Sequence, residues 1–205
     1  LYFFSDIIFY LVYYIVGYRR KVVRKNLTNS FPEKSIKDIV RLEKRFYHSL
    51  CDYFVETMKL YGLPEEKVRK RMTFTGLEEV EKAIDRGQSV VVYMAHTINW
   101  EYATSMPLWM KNKDVKVGQI YHPLENKHFD DFFKKIRGQY NSENISMAAT
   151  LRRIVEIGKE GKQFIIGFIA DQVPTWEAIN HWLTFFNQET AVFTGTEKIA
   201  RRTHS

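Results

Sequence analysis

His96 and Glu101, five positions apart in the stretch AHTINWE (95–101), are the residues of this chain best suited by type to proton chemistry. A carboxylate that accepts a hydrogen bond from one imidazole nitrogen fixes the tautomer and raises the basicity of the other. The second nitrogen can then take a proton from an alcohol, a contribution of roughly 10²–10⁴ in rate. Spacing alone does not decide between this and a merely structural pair: with 6 histidines and 24 acidic residues in 205, one such coincidence arises about as often as not. Metal ligation is disfavoured, because no other His, Cys or acidic residue stands at ligand spacing from His96.

The elements around the pair carry more information. His96 follows SVVVYM (89–94), a short apolar run without helical period, and VKVGQIY (115–121) and QFIIGFIA (163–170) are runs of the same kind. All three read as buried strands. Helices are expected between them over 99–111, 125–139 and 147–158. This alternation predicts an α/β fold with a mostly parallel sheet flanked by helices. Ligands of such sheets sit beyond the carboxyl ends of the strands. His96 lies two residues past the first run and Asp171 directly past the third, so both fall on that edge. Asp171 also suits a turn cap, and His122 and Asn126, after the second run, suit loop caps as well as a site. Trp100 reads as packing beneath the site.

Upstream, apolar residues from Ile36 to Met58 recur near helical period, with Ser35 and Asp38 forming a capping box and Cys51 a small core residue. Pro64 starts a short basic helix, Gly76 and Gly87 bracket another, and TFFNQETAVFTGTEKIARRT (184–203) reads as a loop leading into a helix near Thr194–Thr196. An alternating fold calls for a further strand after that helix, so C-terminal strands are expected beyond Ser205.

Residues 1–17 are apolar except for Ser5 and Asp6, slightly short of the roughly 20 that span a bilayer. Arg19, Arg20, Lys21, Arg24 and Lys25 come directly after them. Positive charge on the C-terminal side of an apolar stretch places the downstream chain on the cytoplasmic face. The expectation is a membrane-anchoring helix and basic turn over 1–25, then one domain over 26–205. The alternative is a buried first helix with a solvated basic turn. A net charge of +7 suits an acidic partner, and the 15% aromatic share suits apolar ligands or a membrane interface. No nucleic-acid partner is expected, since no stacking platform accompanies the basic cluster. One cysteine rules out a disulfide framework and a Cys-based zinc site. Motifs of the GxSxG, HExxH and P-loop kinds are lacking, which removes the commonest hydrolase, metalloprotease and nucleotide-binding readings.

His96, Asn99, Trp100 and Glu101 together resemble the H-x4-D/E block of the glycerolipid acyltransferase superfamily, in the version carried by the lipid A biosynthesis acyltransferase family. NLTNSFPE (26–33) is similar to that family's N-terminal NL…FP block, and YHPLENKHFDDFFKKIR (121–137) to its YRPL-x-N block. ADQVP (170–174) and TGTEKIAR (194–201) resemble the family's later segments. Ala95 and Ile98 replace the glycines of the usual GH-x-GNWE, His122 replaces an arginine, and Asn141 stands where glycine is common.

The resemblance implies a glycerolipid acyltransferase-like fold and direct transfer of a fatty acyl chain from a thioester on acyl carrier protein to a hydroxyl of a lipid A precursor. It assigns His96 as general base and Glu101 as its orienter, with Asn99, His122, Asn126, Arg137, Asp171 and Gln172 toward substrate. It implies no covalent acyl-enzyme, and no metal or cofactor beyond the thioester co-substrate. The implied partners are acyl carrier protein, an anionic glycolipid acceptor and the membrane surface, at the cytoplasmic face of the bacterial inner membrane. Two rivals stay open: a glycerol-phosphate, lysophospholipid or other lipid acyltransferase, and a non-catalytic lipid-binding protein of the same fold.

Overall fold

An apolar segment that carries polar groups must find partners for those it buries, and here Ser5 and Tyr13 set how the N-terminus packs. The computed structural model describes residues 2–205. Its contacts form two units, one of residues up to Lys59 with Val173–Val192, the other of Leu60–Gln172 with Phe193–Ser205.

In the first unit the apolar stretch is a nine-residue helix, α1 (Tyr2–Tyr10), that widens into a π-helical turn (Leu11–Val16) and stops at Gly17, where φ is +63°. No helix among the described residues is long and apolar enough to cross a membrane. The basic run, expected as a turn, opens a second helix, α2 (Arg20–Ser30). Helix α3 (Ile36–Leu60) begins at the predicted capping box, Ser35 Oγ accepting from the Asp38 N–H at 3.2 Å. Polar groups of α1 and the π turn face α3. Tyr2 donates to Glu56 at 2.9 Å, Ser5 to Asp52, and Tyr13 to Glu43 at 2.8 Å, while Phe9, Tyr13, Tyr47 and Cys51 form a buried cluster. The apolar side is therefore turned outward, with Phe3, Phe4, Ile7, Tyr10, Leu11 and Ile15 exposed.

Glu43 is wholly buried and is held by Arg24, with Arg20 at 3.5 Å. Burial pushes its carboxyl pKa up, but the bonds from Arg24 and Tyr13 outweigh burial and leave it below the ordinary glutamate range.

The second unit is built on four parallel strands: β1 (Val90–Met94), β2 (Lys116–Tyr121), β3 (Glu143–Ser146) and β4 (Phe164–Ile169), in the order β1-β4-β2-β3. The fold class is α/β, with a mostly parallel sheet flanked by helices. Before β1 come α4 (Glu65–Arg69) and α5 (Leu77–Asp85). Helices α6 (Lys127–Gly138) and α7 (Thr150–Lys159) come after β2 and β3, and α8 (Gly195–Thr203) is the last element. Strand β4 is central and covered on both faces, which is why it reads as an unbroken apolar run. Phe164, Ile166 and Phe168 pack with Ile145, Ile154 and Ile157 on one face, and Ile165 packs with Ile84, Met110, Val115 and Val117 on the other. At Gly118 in β2 a Cβ would lie 2.8 Å from the Glu143 carbonyl oxygen, so the β2–β3 pairing requires glycine there.

Two elements of this unit differ from expectation. The predicted helix over 99–111 is a 3-10 helix, Trp100–Leu108, with Pro107 inside it and no α-helical ladder to disrupt. Strand β3 was not expected, because Glu-Asn-Ile-Ser at a sheet edge needs no apolar run.

Within 173–192, part of it expected as loop, the first unit contains an antiparallel hairpin of β5 (Trp182–Phe185) and β6 (Gln188–Ala191). Its two turn residues, Phe186 and Asn187, have φ of 48° and 59°, the type I′ geometry that matches strand twist.

Because the pKa of Glu43 is depressed in the folded chain, its contribution to stability is present above the unfolded value and lost as pH falls. Glu43→Gln is expected to cost roughly 2 kcal/mol at neutral pH by leaving Arg24 poorly paired. In urea titrations that difference should begin to shrink below about pH 4, where the unfolded carboxyl takes up a proton, and should vanish as pH falls through the lower pKa of the folded state.

Candidate active site

Strands β1 and β4 are hydrogen-bonded neighbours, with Met94 opposite Ile169. The Ala170 N–H still donates to the Met94 carbonyl at 3.1 Å as the strands leave the sheet. His96 and Asp171 each lie two residues beyond that last matched pair, so the register brings them together. Nδ1 of His96 is 2.6 Å from Oδ1 of Asp171, and the His96 backbone N–H donates to Oδ2 at 2.8 Å. A carboxylate accepts only, so Nδ1 carries a proton, and in the neutral ring the lone pair is on Nε2. The two-point contact fixes both the ring and its attachment to the chain. Trp100 stands edge-on to the imidazole, ring centroids 4.6 Å apart, and the His96 side chain retains 29% of its accessible surface.

Glu101 takes a different place from the one its spacing suggested. It was expected as the orienting carboxylate of His96, yet the carboxylate on Nδ1 is that of Asp171. The first turn of the 3-10 helix sends Glu101 inward, 1% exposed, to a fork-like pair with Arg137 near the end of α6. Arg137 donates Nε to Oε2 at 2.8 Å and Nη2 to Oε1 at 2.6 Å, and its guanidinium lies 5.1 Å over the Phe133 ring. Charge-assisted bidentate pairs of this kind are strong and directional. The pair ties the turn after β1 to α6, and thereby fixes the segment that carries His96.

Between His96 and Glu101 in the chain, Ile98 adopts φ of 51° and is 91% exposed. A β-branched residue in the left-handed region is a genuine outlier. The geometry also accounts for the glycine usual at this position in the resembling family, since only glycine enters that region without cost. Asn141, at φ of 67°, stands at another position where glycine is common, and asparagine tolerates that conformation.

Asn126 caps α6, its side chain accepting from the N–H groups of His128 and Phe129 at 3.0 and 3.3 Å. His122 is exposed and donates from Nδ1 to the Pro123 carbonyl at 2.9 Å. Gln172 is exposed beside Asp171, and Asn99 is half-buried just before the 3-10 helix. Asp130 carried no signal in the sequence. It accepts from the Leu124 N–H at 2.9 Å and pairs with Lys134, which holds its carboxyl below the usual aspartate range and fixes the loop between β2 and α6. Among the described residues no group of three His, Cys, Asp or Glu is arranged to hold a metal ion. Cavities of about 450 and 210 Å³ lie elsewhere in this unit, around Arg69 and Pro107 and around Glu143 and Arg153.

The arrangement can hold a neutral imidazole in one tautomer at a strand end, with Nε2 available to accept a proton. Compared with known proteins, residues 2–205 match the family model described as bacterial lipid A biosynthesis acyltransferase. No curated protein matches the chain.

Arg137→Ala leaves the buried Glu101 charge without its guanidinium and is expected to cost about 3 kcal/mol in chemical denaturation, with Arg137→Lys recovering part of the loss. Ile98→Gly should instead stabilise by roughly 1 kcal/mol, because relief of the left-handed β-branched conformation exceeds the extra chain entropy of glycine. A lower denaturation midpoint for Ile98→Gly would contradict the strain assigned to this turn.

Proposed function

This chain belongs to the bacterial lipid A biosynthesis acyltransferase family, and on that premise we propose that it moves a fatty acyl chain from a thioester on acyl carrier protein to a hydroxyl of a lipid A precursor. The observation that carries the reading is the Asp171 carboxylate on Nδ1 of His96. It leaves Nε2 as the base at the carboxyl end of β1, the edge where sites of α/β sheets form.

His96 Nε2 takes the proton of the acceptor hydroxyl as its oxygen attacks the thioester carbonyl carbon. The C–S bond then breaks, and the proton passes from the imidazolium to the departing thiolate, giving ester and free thiol. Asp171 holds the tautomer and offsets the charge that develops on the ring. The Glu101–Arg137 pair positions the turn rather than the proton. No acyl-enzyme is required, since the acceptor oxygen is itself the nucleophile.

Three further features support the setting. The exposed aromatic and aliphatic side of α1 and the π turn suits a membrane interface, and the exposed Lys21 and Lys25 of α2 suit anionic headgroups. The +7 net charge suits both an acidic carrier protein and a phosphorylated glycolipid. Work at the cytoplasmic face of the inner membrane agrees with such a donor and such an acceptor.

Thiol release from acylated carrier protein in the presence of a lipid A precursor tests the proposal. His96→Ala is expected to abolish release. Asp171→Asn should lower kcat by about 10²–10⁴ while far-ultraviolet circular dichroism stays unchanged. Wild-type rates in both variants would refute the assignment. A lysophospholipid preferred over the lipid A precursor would move the substrate class, and lipid binding without any thiol release would mean a non-catalytic protein.

A further inference from the structure

The segment Val173–Val192 contributes nothing to the proton chemistry, yet it exposes more large apolar surface than a solvated hairpin should. Val173, Trp176, Trp182, Leu183, Phe185 and Phe186 are between 39 and 81% exposed. In β5 both faces are affected, since Trp182 alternates with Leu183 and Phe185 along the strand. An isolated two-stranded hairpin is marginal in water, and one with apolar groups on both faces has little reason to stay there.

The turn adds an independent observation. A type I′ turn favours Asn-Gly at its two central positions, because both residues have positive φ. Here the first position is Phe186, a bulky aromatic held at φ of 48° with half its surface exposed. Strain of this kind persists where the side chain serves something other than local stability.

The tip is also anchored. Asn187 and Gln188 donate to the Ser30 carbonyl and hydroxyl at 3.4 and 3.3 Å, and Asn29 donates to Gln188 at 3.1 Å. Phe186 packs on Phe31 with ring centroids 5.6 Å apart, and the Lys34 ammonium lies 5.5 Å from the Phe31 ring centre. The aromatic tip is thus fixed to the end of α2, the helix that carries the exposed Lys21 and Lys25 and comes after the apolar α1 stretch. Apolar side chains beside fixed cations match an anionic lipid surface: the rings enter the acyl boundary and the ammonium groups meet headgroup phosphates.

We propose that the β5–β6 hairpin is a second membrane foothold, separate from the N-terminal apolar helix, inserting Phe185 and Phe186 into an anionic bilayer with Trp182 at headgroup level. This rests on the membrane setting of the proposed function and adds to it the element and the residues that enter the lipid. It also gives the chain two attachments to one surface, so that the second binds at high effective concentration once the first is made.

The test is co-sedimentation of the full chain with vesicles of phosphatidylcholine containing phosphatidylglycerol, beside vesicles of phosphatidylcholine alone. Phe186→Asn suits the turn better than phenylalanine does, so its thermal midpoint should hold or rise while its partition onto the anionic vesicles falls tenfold or more. Phe185→Ser, outside the turn, should weaken partition to a similar extent and guards against an effect peculiar to residue 186. Wild-type binding that both variants retain in full overturns the hairpin proposal and leaves the membrane reading standing. Retained binding together with a changed oligomeric mass would assign the surface to a second copy of the chain. A wild-type chain that ignores anionic vesicles overturns both.

Discussion

Backbone pairing between β1 and β4, in the register that sets Met94 against Ile169, is the constraint on which the site depends. Parallel ladders fix the relative position of strand ends to within one residue, because a slip of one would turn every side chain to the opposite face. The apolar residues of β4 prevent that slip, since both faces of the strand are buried against different clusters. With the register locked, two segments 75 residues apart leave the sheet side by side, and Asp171 meets both the backbone and the ring of His96. The chemistry assigned to the imidazole is in this sense a consequence of core packing.

Two fully buried glutamates hold the molecule's irregular places, and each does so through arginine. Glu101 with Arg137 ties the turn after β1 to α6, and Glu43 with Arg24 and Tyr13 ties the π turn and α2 to α3. Buried ion pairs of this kind add little net stability compared with apolar side chains of equal volume, but removal of one partner is costly. What they supply is direction: a carboxylate between fixed donors allows one arrangement of the elements that carry them. In the N-terminal segment the same logic turns the polar groups of α1 inward and leaves its apolar side outward.

Bulky side chains occupy left-handed backbone at Ile98 and at Phe186. One is in the turn just past the proposed base, the other at the tip of an exposed hairpin. Local propensity would place glycine or asparagine at both. Their persistence marks the places where this chain departs from what its backbone alone would favour, and both lie at surfaces open to a ligand.

The sequence by itself determined the alternation of apolar runs with helical stretches, and with it a parallel sheet whose carboxyl edge bears His96 and Asp171. Runs such as FIIGFI are legible because burial on both faces demands apolar residues throughout. The Ser35 capping box is legible because capping is local. Edge strand β3 and the hairpin were not legible, since neither is paired or buried enough to constrain composition, and a Phe-Asn turn lacks the usual glycine. Only the tertiary structure decided which carboxylate serves His96. Glu101 is near in sequence but is drawn into the core by Arg137, while Asp171 is distant in sequence and is delivered by strand order. Hydrophobic period records whether a residue is buried; it does not record which strand lies beside which, because that depends on contacts between segments far apart in the chain.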